Sequence, residues 1–381
     1  MPSSWFLLCQ DLLTFIATFQ SGPHADIVPF RRLKLPSVTT GDYYERLGEV
    51  FAPWYALHGP SRVKVLLAEL PNMPNVVFAH ALAFGLVDVL RLSCLSQTLS
   101  SRELWDIAAF GGQVSSLRFL KEAGIPLKHL SAFTWACRRG HLNCVKFFIA
   151  LGAPISPDAF DSAAAQGHWN ILQELSACPA TIHAINEAAK RGHLKVVQYL
   201  HENRNEGCTT LAMDYAASEG HIDVVRWLHT HRTEGCTTYA MDAAASNGHL
   251  AVVEFLHTNR KEDCTSHAMD WAACNGHLEI VKYLHKHRSE GCSVHALNGA
   301  ARHGHLDIVV FLNESSSMRK AIAPAMSQAA RCGHLEIVKY LFNQQSRSES
   351  VTSVMEEAQA RGHDAIVDYL NQQTNAAANF L

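Results

Sequence analysis

Residues 209–236 read TTLAMDYAASEGHIDVVRWLHTHRTEGC, and this stretch decides the fold. Thr209 and Thr210 are residues of the type that caps a helix start, because a hydroxyl there accepts a bond from an orphan backbone N–H. Met213, Ala216 and Ala217 follow at i, i+3, i+4, one face of a helix. The alanines are small, so a second layer can approach closely. Gly220 suits the left-handed position that ends such a helix. A second helix begins near His221, with Asp223 in its first turn, where negative charge meets the positive end of the helix dipole. Val224, Val225 and Leu228 form its buried stripe. His229, His231 and Arg232 fall at its far end, and residues 232–236 close a tight polar loop turned by Gly235.

The unit is copied. Gly-His occurs at Gly140, Gly167, Gly192, Gly220, Gly248, Gly276, Gly304, Gly333 and Gly362, at steps of 27, 25, 28, 28, 28, 28, 29 and 29 residues. A fixed period of this length marks a solenoid in which each copy buries its apolar face only against its neighbours. The fold class is therefore all-α, a helix-turn-helix solenoid with short loops. Gly85 and Gly112 extend the series upstream in degenerate copies, and the polar run after His363 reads as a C-terminal cap from about residue 351. The array spans 71–381. Residues 1–70 are not clearly repeats and read as a helical N-terminal cap or an unassigned region, with helices at 12–19 and 43–57 and a connector at 29–36. The loop at 315–320 breaks the Glu-Gly-Cys pattern and is expected to bend the array.

Composition narrows the function. The 381 residues carry a net charge of −3, so no global field favours nucleic acid or an anionic membrane. No run of 18 apolar residues suggests a membrane span, and the start has no basic region of the secretory kind. The reading is soluble, intracellular and cytoplasmic. Eleven cysteines without a CxxC pair imply free thiols: Cys208, Cys236, Cys264 and Cys292 recur every 28 residues, and stacked repeats hold such points about 8–10 Å apart, too far for a disulfide.

The segment from Met213 to His221 resembles the ankyrin repeat pattern TPLHxAAxxGHLxVVxxLL, and the match recurs at 241–249, 269–277 and more loosely at 297–305. The resemblance spans roughly residues 75–372. Two departures stand out. The Thr-Pro-Leu-His tetrapeptide is absent, with Asp214, Asp242 and Asp270 where its histidine would be. The period is also about 28 residues where ankyrin repeats have about 33. The missing residues should come from the β-hairpin finger, so the resemblance implies a short-loop variant in which finger-mediated binding is doubtful.

Three ladders invite chemistry. The aromatics Tyr199, Trp227, Phe255, Tyr283, Phe311, Tyr340 and Tyr369 occupy one repeat position and are expected to pack between repeats. Arg204, Arg232, Arg260 and Arg288 precede Glu206, Glu234, Glu262 and Glu290 by two residues; equal numbers of both signs favour a mutual network over a charged docking strip. The Gly-His histidines, with Cys274 beside Gly276-His277, suggest metal, but zinc ligands must converge to about 2.0–2.3 Å from one ion while repeat histidines stand roughly 8–10 Å apart. A histidine hydrogen-bonded across repeats fits better, and no metal or cofactor is expected. There is no GxxxxGK[ST], GxGxxG, HExxH or GxSxG, so no enzyme is expected.

What varies between copies is a stripe on the first helix. Leu211, Tyr215 and Ser218 lie at i, i+4, i+7, with Glu219 beside them. The aligned sites are Tyr239, Ala243, Ser246 and Asn247; His267, Trp271, Cys274 and Asn275; His295, Gly299, Arg302 and His303. In ankyrin stacks the first helices line the concave face, so the resemblance puts these side chains, with Asp214, Asp242 and Asp270, on the surface that binds partner proteins. Tyr215 and Trp271 are the expected anchors. The functional expectation is a non-enzymatic, monomeric protein–protein interaction scaffold that binds neither nucleic acid nor membrane. The alternative is a substrate adaptor of a ubiquitin ligase, resting on the faintly F-box-like DLLTFI at 11–16.

Overall fold

The structure, a computed structural model, describes residues 25–34, 41–70, 72–93, 99–315, 321–344 and 351–378. The expected helix at 12–19, the DLLTFI fragment and most of the 315–320 loop lie outside these. Every described element is helical, and no strand occurs among the described residues. The chain divides into two compact units, Met1–Ala180 and Thr181–Leu381.

The first unit opens on a 3-10 helix, Ala25–Arg32, where the sequence suggests a connector at 29–36. Ile27 and Phe30 explain the difference: side chains three apart eclipse in a 3-10 helix, and both are fully buried, Phe30 against Phe51 and Trp54 of the helix Gly41–His58. Asp26 fixes the segment through an ion pair to Arg62 at 2.9 Å. Four helix pairs follow: Pro74–Phe84 with Val87–Leu92, Ser101–Phe110 with Val114–Glu122, Ser131–Arg139 with Leu142–Ala150, and Pro157–Ala165 with Trp169–Glu174. His80 in the first of these is buried between Phe51 and Phe84 with no hydrogen-bond partner among the described residues, and burial lowers its pKa to about 3, so it packs as a neutral ring.

The second unit is seven helix pairs, the most regular being Leu211–Ser218 with Ile222–His231, Thr238–Ser246 with Leu250–Asn259, Ser266–Cys274 with Leu278–His287, and Val294–His303 with Leu306–Ser315. First helices pack on the first helices of adjacent repeats, through Ala212, Met213, Ala216, Ala217 and their copies; second helices bury Val224, Val225 and Leu228. Each such aliphatic side chain contributes about 1.5–3 kcal/mol by leaving water.

Three inter-repeat ties recur. Each Gly-His glycine takes a left-handed φ, +79° at Gly220 and +85° at Gly248, and the residue after it bonds back to the closing turn, as in His221 N–H to Ala216 O at 2.9 Å. The imidazole then reaches back one repeat. His277 Nε2 donates to Ser246 O at 3.0 Å, and His141, His168, His334 and His363 do the same to Phe110, Arg138, Arg302 and Arg331. The expected cross-repeat histidine is thus a tie to the preceding copy.

The charged ladder pairs within its own loops, and Arg288 also bonds Asp263 of the preceding loop at 2.7 Å. Arg204 pairs with Glu206 at 2.6 Å, and Arg232, Arg260 and Arg288 bond Glu234, Glu262 and Glu290. Arg232 also donates to His201 Nδ1 of the preceding repeat at 3.3 Å. The aromatic ladder packs between repeats, with imidazoles standing between its rungs. Trp227, Phe255, Tyr283 and Phe311 each meet, edge to face, the histidine at the end of the preceding second helix: His201, His229, His257 and His285.

The third tie is a carboxylate under each helix cap. Asp214 accepts from Thr237 N and Oγ1, Asp242 from Thr265, and Asp270 from Ser293. Thr237, Thr265 and Ser293 in turn cap their own helices. One copy later the tie fails: Asn298 stands in the register of Asp270, Ala321 takes the cap position, and Asn298 Oδ1 is buried with no donor among the described residues. Ala321→Ser restores a capping hydroxyl beside that oxygen. It is expected to stabilise the repeat 322–344 by about 1 kcal/mol, read as slower amide exchange in the helix Ile322–Arg331. Unchanged exchange would mean that Asn298 is not short of a donor.

Candidate functional site

The stripe of first-helix side chains forms two adjoining grooves in the second unit. One, of about 350 Å³, is lined by Ser218, Tyr239, Ala243, Ser246, Asn247, Trp271, Cys274 and Asn275. The other, of about 450 Å³, is lined by His267, Asp270, Trp271, Cys274, His295, Asn298, Gly299, Arg302, His303 and Gln328. Trp271 and Cys274 belong to both. Gly299, which lines the second groove, occupies the register of Tyr215, Ala243 and Trp271. A Cβ there would stand 3.0 Å from the Cys274 Cβ, so the glycine lets the two helices close together.

The helix ends set which side chains face it. Thr265 and Ser293 hold the starts of their helices, so that His267 and His295, two residues on, sit exposed at the rim. One turn later comes Trp271, 40% exposed, its ring stacked on His267 at 4.9 Å. Tyr239, 46% exposed, takes the rim position of His267 one repeat earlier. At the far end Arg302 and His303 are exposed, with His303 Nδ1 at 3.2 Å from Cys274 Sγ. Burial raises the Cys274 thiol pKa, Arg302 opposing; that is opposite to what a nucleophilic thiol requires. No group of three or more His, Cys, Asp or Glu among the described residues is placed to hold a metal.

The sixteen candidate binding residues separate into four sets, the last being the three aspartates. Tyr239, His267, Trp271, His295, Arg302 and His303 come together around the grooves with open side chains. Ser218, Ser246, Asn247 and Asn275 line them too, but are bonded to one another across repeats: Asn247 Nδ2 donates to Ser218 O at 2.7 Å and Asn275 Nδ2 to Ser246 O at 2.8 Å. Leu211, Tyr215 and Glu219 line neither groove; Leu211 is 40% exposed, while Tyr215 is half-buried under the Lys190 ammonium.

Asp214, Asp242 and Asp270 are buried, at 1%, 4% and 4% exposure. Their oxygens are occupied by the next repeat's cap, and this explains why aspartate stands in the register of the pattern's histidine. Burial pushes the Asp214 and Asp242 carboxyls above their ordinary value, against the lowering effect of the cap hydrogen bonds. Asn298 and Gln328 line the second groove without having been singled out from the sequence. Their signal was register: Asn298 is the Asp270 position one copy on.

No helix among the described residues is long and apolar enough to cross a membrane. Family profiles described as ankyrin repeats match residues 240–321 (three copies) and residues 185–229 and 213–257 (many copies). No curated protein matches the chain.

Proposed function

We propose that this chain, whose residues 185–321 are ankyrin repeats, binds a partner protein along the first-helix face between Tyr239 and His303. Ankyrin repeats make a protein–protein interaction module; the face and the residues are our reading. The observation that carries it is the pair of adjoining grooves with two large aromatic side chains, Tyr239 and Trp271, held open to solvent at their rims. Buried aromatics of this kind dominate binding energy where a partner desolvates them.

The test is a paired affinity capture with wild type and a Tyr239→Ala, Trp271→Ala variant of matched melting temperature. Each anchor is expected to contribute about 2 kcal/mol or more, so affinity should fall roughly 30-fold or further per substitution. Partners retained by the variant at full affinity would move the binding surface elsewhere on the chain.

A further inference from the structure

Between Tyr239 and Arg331 the exposed formal charge on the first helices is of one sign, carried by Arg302 and Arg331. His267, His295 and His303 are exposed there as well. The only acidic residues on these helices are Asp242 and Asp270, both buried and both occupied by the caps of the following repeats. Elsewhere the unit pairs its arginines with care: Arg204, Arg232, Arg260 and Arg288 each bond the glutamate of their own loop. Arg302 has no such carboxylate among the described residues, although it stands in the wall of the larger groove beside Trp271.

We infer that this groove takes an acidic segment of a partner protein, with a carboxylate on Arg302 and an adjacent apolar side chain against Trp271. The inference rests on the first-helix face being the binding face. A guanidinium offers a carboxylate two parallel N–H donors in one plane, and Trp271 offers an apolar wall within the same cavity. A nucleic acid fits less well. Phosphate backbones need many cationic contacts for affinity, whereas these helices hold two arginines, no lysine, and a chain of net charge −3.

The experiment selects short random peptides displayed on phage against the full chain, in parallel with Arg302→Glu and Trp271→Ala variants of matched melting temperature. Wild type is expected to enrich peptides in which Asp or Glu flanks an aromatic or branched apolar residue. A synthetic copy of the strongest should bind Arg302→Glu about tenfold or more weakly, and selection on that variant should lose the acidic bias. Trp271→Ala should weaken binding while keeping the charge preference. Peptides without acidic bias that still depend on Trp271 would overturn the inference and leave the first-helix face standing. Binders indifferent to every first-helix substitution would overturn both. Failure to select any peptide, or tighter binding of a poly-thymidine oligonucleotide on the same residues, would overturn the acidic-segment assignment.

Discussion

Gly248→Ala is expected to destabilise the array by about 2–4 kcal/mol, about half of which should disappear when His277, one repeat away, is also replaced. Two costs combine at this position. The backbone sits at φ +85°, where a Cβ costs about 1–2 kcal/mol. The new methyl would also stand 2.7 Å from the His277 Cε1, and that ring is held by its bond to Ser246 O. Moving it gives up packing and a hydrogen bond, roughly 1–2 kcal/mol more. In a His277→Ala background the second cost vanishes, and Gly248→Ala should retain only the backbone cost. Urea midpoints of the four proteins in the cycle give the coupling directly. Equal costs of Gly248→Ala in both backgrounds would show that ring and glycine do not press on each other.

That coupling marks where sequence reading stops. The period exposes Gly220, Gly248 and their copies as helix stops, because a left-handed turn needs glycine whatever surrounds it. The second reason for glycine, the imidazole from the following copy, depends on which repeat lies over which. Asp242 shows the same limit. Three residues after Tyr239 on a helix, it lies at the edge of the variable stripe, and the sequence does not say whether that edge faces solvent or the next cap. The stacking direction settles it, and Asp242 goes inside. Asn247 fails differently: it is exposed, as read, but its amide is tied to Ser218 of the preceding repeat. Trp271, His267 and Arg302 were legible because exposure at a helix position follows from the buried Met/Ala face opposite. The close approach of their two helices was not, since it comes from the side chain Gly299 lacks.

Asp242→Ala is the second large effect, about 2–4 kcal/mol, and the chain contains its own control. The carboxylate accepts from Thr265 N at 2.8 Å and Oγ1 at 2.7 Å, and hydrogen bonds to charged groups contribute about 1.5–3 kcal/mol. Alanine would leave the Thr265 N–H without its acceptor and open a small void at the repeat interface. Asp242→Asn should cost less than about 1 kcal/mol, because Asn186 already makes this tie two repeats earlier. Its Oδ1 accepts from Thr209 N at 3.1 Å, and its Nδ2 donates to Thr209 Oγ1 at 3.0 Å.

The pH dependence separates charge from geometry. Burial raises the Asp242 carboxyl above the ordinary aspartate value of 3.8 in the folded state. A raised folded pKa means that ionising this group costs stability, and that the lost stability returns as pH falls through the folded value toward 3.8. Asparagine has no proton to take up. Its standing relative to wild type should therefore be best at pH 7 and worsen steadily as pH falls into that window. Urea midpoints across the window measure this. If Asp242→Asn instead lost as much as Asp242→Ala at neutral pH, the tie would require the negative charge itself, and the uncharged Asn186 rung would be the weak one in the ladder.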